Sequence, residues 1–167
     1  AIGRYQRVYT FPAGGRRFAS TIEDISARRS AEDALRESEE KFRSLFNNMT
    51  EGFALHQIIT DGQDRPVDYR FLDLNPAFEG LTGLKRSEVA GRRVTEVLPG
   101  IEPFWIDTYG RVALTGEPAT FESYFSAPLN RWYQVYAYRP APGRFAVIFM
   151  DITERRRAEE ELRESEE

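Results

Sequence analysis

His56 is the one histidine of the chain, and cysteine is absent. Thiolate zinc sites, iron–sulfur clusters, disulfides and cysteine nucleophiles are therefore excluded. A multi-histidine metal site or a histidine relay cannot be assembled from one imidazole. Asp and Glu number 27, but no pair stands apart from helical surface charge. The sequence has no G-x-S-x-G elbow, no G-x-x-x-x-G-K loop and no G-x-G-x-x-G turn. Hydrolase, nucleotide-phosphate and dinucleotide chemistry thus lack their parts, and no enzymatic activity is expected of these residues. What remains is recognition. Trp105 and Tyr109 recur one helical turn apart, Tyr133 and Val135 alternate on a strand, and His56 sits within another strand. Such aromatics are most often core. Grouped around a hole, the tyrosine hydroxyls and the imidazole would take a small polar–aromatic ligand.

The framework for those residues is one domain-sized core. Lys and Arg number 23 against 27 acidic residues, a net charge of −4, which argues against a nucleic-acid surface. Hydrophobic residues make up 41% and aromatic residues 13%, enough to fold on. The longest unbroken apolar run is residues 145–150, against the roughly 20 residues a membrane-spanning helix needs. No apolar stretch of a signal peptide follows Arg4 and Arg7. A cytoplasmic location is expected.

An internal repeat organises the chain. Residues 4–40 align without gaps on 131–167, an offset of 127, with 18 identities in 37 positions. Helical Glu/Arg composition could account for matches near the end. It does not account for Val8-Tyr9 against Val135-Tyr136, or Arg17-Phe18-Ala19 against Arg144-Phe145-Ala146. The repeating unit is therefore about 127 residues, with one whole copy preceded by the tail of another.

Residues 4–11 and 17–24 read as two strands around Pro12-Ala13-Gly14-Gly15. Ser26 is placed to cap a helix reaching about residue 48. Along it Ala31, Leu35, Ser38, Phe42, Leu45 and Met49 are spaced 4, 3, 4, 3, 4, a heptad seam. That seam predicts a parallel homodimer through Leu35, Phe42, Leu45 and Met49. Strands are expected at 52–60 and 67–74, with Asn75 capping and Pro76 opening a short helix that Gly83 ends. Short helical turns at 86–90 and 94–97 precede a longer helix at 103–114. Three strands follow, 120–125, 131–138 and 144–152, then a charged helix capped by Thr153 and reaching Glu167. Strands split by a helical cluster make an α+β fold with an antiparallel sheet.

Asn75-Pro76-Ala77-Phe78 with Leu81-Thr82-Gly83, then Glu88-Val89-Ala90-Gly91, Arg131-Trp132-Tyr133 and Asp151-Ile152-Thr153 stand in an order and spacing that resemble a PAS domain. The particular flavour resembles the tandem sensory PAS modules of sensor histidine kinases. The resemblance implies a five-stranded antiparallel sheet with a helical cluster on one face, flanked by coiled-coil-like helices. It divides the chain into the last two strands of a preceding PAS module (1–25), a linker or signalling helix (26–49), a PAS domain (50–153) and the start of a C-terminal signalling helix (154–167). Haem-binding relatives carry their axial histidine on the longer helix, which has none here; blue-light flavin relatives need a cysteine. Haem and photoactive flavin are therefore not expected, and the ligand stays open.

The resemblance also makes the junction at Asp151, Ile152, Thr153 and Arg155 the exit point of a signal. Thr153 is placed to accept amide hydrogens of the first helical turn, and Arg155 or Arg156 to pair with Asp151. The expected function is a sensory relay module within a larger signalling protein, with adjacent PAS or kinase domains as partners in the same chain. The alternative is a structural dimerisation spacer with a filled core and no ligand.

Overall fold

The structure is a computed structural model that describes residues 3–126 and 129–166. Ala1 and Ile2 of the expected hairpin segment, and Glu167 at the expected helix end, lie outside those residues. The chain divides into two compact units, residues 1–45 and 46–167.

In the first unit, β1 (Gln6–Pro12) pairs antiparallel with β2 (Phe18–Asp24), with Val8 opposite Ile22 and Pro12 opposite Phe18. Gly14 and Gly15 turn the chain at φ +91° and +61°, a region that only glycine enters freely. A helix, α1 (Ser26–Asn48), follows after one residue. Leu35, Phe42 and Leu45 are all exposed on it. Met49 is not on the helix, contrary to the heptad reading, because α1 ends one residue earlier. The two asparagines at 47 and 48 are poor helix formers, and the chain turns there toward an extended segment.

The second unit has five strands: β3 (Gly52–Thr60), β4 (Pro66–Leu74), β5 (Ala119–Phe125), β6 (Arg131–Tyr138) and β7 (Arg144–Asp151). They form one antiparallel sheet in the order β4-β3-β7-β6-β5. Between β4 and β5 lie α2 (Pro76–Thr82), α3 (Arg86–Val89), α4 (Val94–Val97) and α5 (Pro103–Thr115). The charged helix α6 (Thr153–Glu166) leaves the end of β7. This is the α+β architecture expected from the sequence.

Alternation decides which strand face is covered. Ala54, His56 and Ile58 of β3 are buried, as are Tyr133, Val135 and Ala137 of β6 and Phe145, Val147 and Phe149 of β7. On β4 the alternation breaks. Asp73 pairs with Leu55 but Phe71 pairs with His56, so Leu72 is an extra residue, and Leu74 turns inward beside Tyr69 and Phe71.

Asn75, fully buried, ties the helices to the sheet. Its Oδ1 accepts from the amides of Phe53 and Phe78, each at 2.9 Å, and its Nδ2 donates to the Glu51 carbonyl at 3.0 Å. One side chain thereby caps α2 and fixes the start of β3. Pro103 opens α5, and Gly116, at φ +79°, closes it with its amide on the Val112 carbonyl at 2.9 Å.

Candidate functional site

The inward faces of β3, β4, β6 and β7 and the inner side of α5 surround a cavity of about 60 Å³. His56, Trp105, Tyr109, Tyr133 and Val135, the five residues singled out in the sequence, all line it. Tyr69, Phe71, Phe78, Phe125 and Phe149 join them. Among the described residues, no Asp, Glu, Lys or Arg lines the cavity.

His56 is enclosed by rings. It stacks on Phe145 at 4.5 Å between centroids and meets Tyr69 edge-on at 5.0 Å and Phe71 at 5.1 Å. Its Nδ1 has no hydrogen-bond partner among the described residues. Burial pushes the imidazole down to about 3, against a smaller opposing contribution from the Phe145 backbone. His56 is therefore neutral at physiological pH. Burial also raises the hydroxyls of Tyr69 and Tyr109, the first further raised by Asp68 and the second by Tyr69. Tyr133 is pushed up to about 12, chiefly by burial and then by the charge of Asp151. Its hydroxyl donates to the Leu81 carbonyl at 3.2 Å.

Tyr109 stacks on Phe145 at 4.8 Å, and Trp105 on Phe125 at 4.5 Å. Trp105 Nε1 donates to Glu102 at 3.2 Å, and Glu102 also accepts from Ser126. The hydrogen bond from Ser126 is the main reason that the Glu102 carboxyl lies below its ordinary range. Other aromatics of β5 and β6 belong elsewhere. Tyr124 and Tyr136 are exposed, because strand parity sends them to the outer face of the sheet.

The junction after β7 differs in detail from the sequence reading. Thr153 is the first helical residue, and its Oγ1 accepts from the Trp132 amide on β6 at 3.0 Å rather than from the first turn of α6. The cap comes from Asp151, whose Oδ1 accepts from the Thr153 amide at 2.9 Å. Asp151 pairs with Arg131 at 2.9 Å, not with Arg155 or Arg156. Those two arginines reach outward to Glu122 on β5 instead. Arg131 sits beside Asp151 across the β6–β7 ladder, whereas Arg155 and Arg156 lie beyond the strand end. Ile152 is buried, and its amide donates to the Trp132 carbonyl at 2.9 Å. Burial alone would raise the Asp151 carboxyl, but hydrogen bonds from Thr153 and Arg131 hold it below the usual range.

The same junction occurs twice. Asp24 Oδ1 accepts from the Ser26 amide at 3.0 Å, and Ser26 Oγ accepts from the Tyr5 amide at 2.9 Å. The Ile25 amide donates to the Tyr5 carbonyl at 3.0 Å, and the Arg29 guanidinium stands 4.6 Å over the Tyr5 ring. Adding 127 to each number gives the second set, ending with Arg156 at 4.8 Å over Trp132. Ser26 reaches back to Tyr5, the residue before β1, as Thr153 reaches back to Trp132 of β6.

Residues 67–157, 91 of the 167, match the family model of the PAS fold. The chain belongs to the PAS-fold family. It is 29% identical over 147 residues to sporulation kinase E of Bacillus subtilis (strain 168), which covers 87% of this chain and 19% of that protein. The chain thus spans about a fifth of that relative's length. Among solved structures, the PAS domain of an HTR-like protein from Haloarcula marismortui aligns with a TM-score of 0.54 at 21% identity, over 74% of this chain and 99% of that one. A domain of the sensory box sensor histidine kinase/response regulator from Geobacter sulfurreducens aligns at 0.53 and 19% identity, over 70% and 96%. What these structures share with the PAS module is the fold. Among the described residues there is no cluster of His, Cys, Asp and Glu able to hold a metal, and no helix is long and apolar enough to cross a membrane.

Proposed function

We propose that the PAS module is a sensory relay in a larger, cytoplasmic signal-transduction protein, a sensor histidine kinase, whose catalytic domain lies outside these residues. One observation carries this reading. β6 lines the cavity with Tyr133 and Val135, while the backbone of its Trp132 anchors the start of α6 through Thr153 and Ile152. A change at the cavity and a change in helix pose therefore share one strand. On this reading residues 1–25 are the last strands of a preceding PAS module, 26–49 the helix between modules, 50–153 the sensor and 154–167 the start of the output helix. Homology to a sporulation kinase and the twofold occurrence of the junction support it.

The ligand is small and uncharged. No ionised side chain lines the cavity and His56 is neutral, so nothing there balances a charge. A volume of about 60 Å³ lies below the roughly 150 Å³ that admits benzene, so neither haem nor flavin has room in this arrangement. The exposed Leu35, Phe42 and Leu45 supply a parallel homodimer seam.

The small cavity favours a second reading, a dimerisation spacer with no ligand. Native mass spectrometry of the purified chain separates the two. A dimer retaining an uncharged small molecule, lost when Val135→Phe fills the cavity, supports the sensor. A dimer with no added mass, unaltered by Val135→Phe, supports the spacer.

A further inference from the structure

Glu122 lies on the outward face of β5, an edge strand, and its carboxylate takes two arginines from α6. Arg155 bonds to Oε1, and Arg156 to Oε2 at 2.6 Å. Arg156 also stands over Trp132 of β6. Arg155 has a second carboxylate within reach: Glu159, one turn further along α6, at 3.6 Å.

The other junction holds the same arginine against a helical carboxylate. Arg28 and Arg29 hold the places of Arg155 and Arg156. Arg29 again covers a ring, that of Tyr5. Arg28 closes on Glu32, the counterpart of Glu159, at 2.9 Å. The helical pair stands at 2.9 Å in one junction and at 3.6 Å in the other, where Glu122 also holds the arginine. Exposed pairs of this kind differ little in free energy, so a small displacement of either carboxylate redistributes the guanidinium.

The strand that carries Glu122 also faces the cavity. Phe125 lines the cavity and stacks on Trp105, and Phe121 meets Trp105 at 5.9 Å. Residues 121 and 125 point inward and 122 outward, so a shift of β5 at the cavity moves the carboxylate on its other face.

We propose that Arg155 is shared between Glu122 and Glu159, and that this exchange couples displacement of β5 at the cavity to the hold of the sheet on α6. Glu122 is then a positioning residue for the output helix. The proposal rests on the relay reading above and adds the residue through which the relay runs.

Hydrogen exchange of the 167-residue chain, resolved to α6, tests it. Glu122→Gln keeps the shape and removes the charge; exchange across the first two turns of α6 quickens about three- to tenfold, while β3 and β7 keep their protection. Glu159→Gln leaves α6 at least as protected as in the parent. Phe125→Leu, or Phe121→Leu should the first variant fold poorly, perturbs β5 from the cavity side. It changes α6 exchange in the parent and leaves it unchanged once Glu122→Gln is present. If the leucine variants change α6 equally with and without Glu122→Gln, the relay stands and the proposal falls. If neither leucine variant reaches α6 in the parent, the relay reading itself falls and the proposal with it. Unchanged α6 exchange in Glu122→Gln also overturns the proposal.

Discussion

The strand register and the junction hydrogen bonds of residues 5–29 recur in residues 132–156, yet the burial of the two segments is opposite. Val8, Phe18 and Ile22 are 55%, 75% and 63% exposed, whereas Val135, Phe145 and Phe149 at the same places are 2%, 0% and 6%. The strand register is the same in both, since Val8 faces Ile22 as Val135 faces Phe149. Register and junction are therefore encoded locally, in backbone pairing and short polar side chains. Burial is not. In the second unit β7 has β3 as its other neighbour, and Phe145 meets His56 and Tyr109; β2 belongs to a sheet of two strands. A hairpin alone has too few strands to hold a core.

The sharpest way to break this comparison is to truncate the paired phenylalanines. Phe145→Ala removes a fully buried ring stacked on both His56 and Tyr109 and should cost about 3–5 kcal/mol. Phe18→Ala should stay within about 0.5 kcal/mol. Urea unfolding of both variants checks the pair. A comparable loss from Phe18→Ala would mean that the hairpin face is covered in solution. Deletion of residues 1–25 extends the same test, and the melting temperature of the second unit should change little.

A pH titration sharpens the contrast further, because the first unit has no histidine. The folded value of His56 is about 3, below an ordinary value of about 6.5. Between the two, the unfolded chain binds a proton that the folded chain does not, so stability is full above about pH 6.5 and falls as pH drops toward 3. The expected slope is about 1.4 kcal/mol per pH unit across that window. His56→Phe should flatten it, and urea midpoints of parent and variant at pH 7, 6 and 5 check the difference. Parallel pH profiles would show that His56 charges without unfolding the core.

Much of this was legible in the sequence, for identifiable reasons. Asn75-Pro76 announced a helix start, and the alternation of Tyr133 and Val135 on a strand put them on one face, which the structure buries. The repeat offset exposed the two junctions. Three features escaped. The bulge at Leu72 obeys no residue pattern, so Leu74 beside Phe71 was not foreseen. The ends of α1 were set by asparagines that a heptad count does not weigh, which misplaced Met49. Glu122 lies 33 residues from Arg155, and ion pairing at that range depends on which strand closes the sheet edge. Sequence proximity suggested Asp151 for Arg155 instead. Only the assembled β5–β6–β7 order places Arg131 against Asp151 and leaves Glu122 for α6.

Within the second unit the smallest expected change in stability belongs to the junction, where the relay reading is most exposed. Asp151 caps α6 and pairs with Arg131, and Thr153 holds the Trp132 amide. Losing a cap or one such hydrogen bond costs about 1 kcal/mol. A domain of this kind is stable by roughly 5–15 kcal/mol, so Asp151→Ala with Thr153→Ala should leave the sheet folded by circular dichroism. Two conformations of a signalling module differ by only a few kcal/mol, so the same loss is large for a relay. The double variant should therefore alter the output of an attached kinase at nearly unchanged fold content. The matching change at the first junction, Asp24→Ala with Ser26→Ala, removes the same local bonds one repeat earlier. If only the second junction changes output, the signal leaves through α6. Equal effects from both would make the two junctions equivalent helix hinges. Unchanged output from the 151/153 variant, with the fold intact, would reduce the junction to an ordinary cap and favour the spacer.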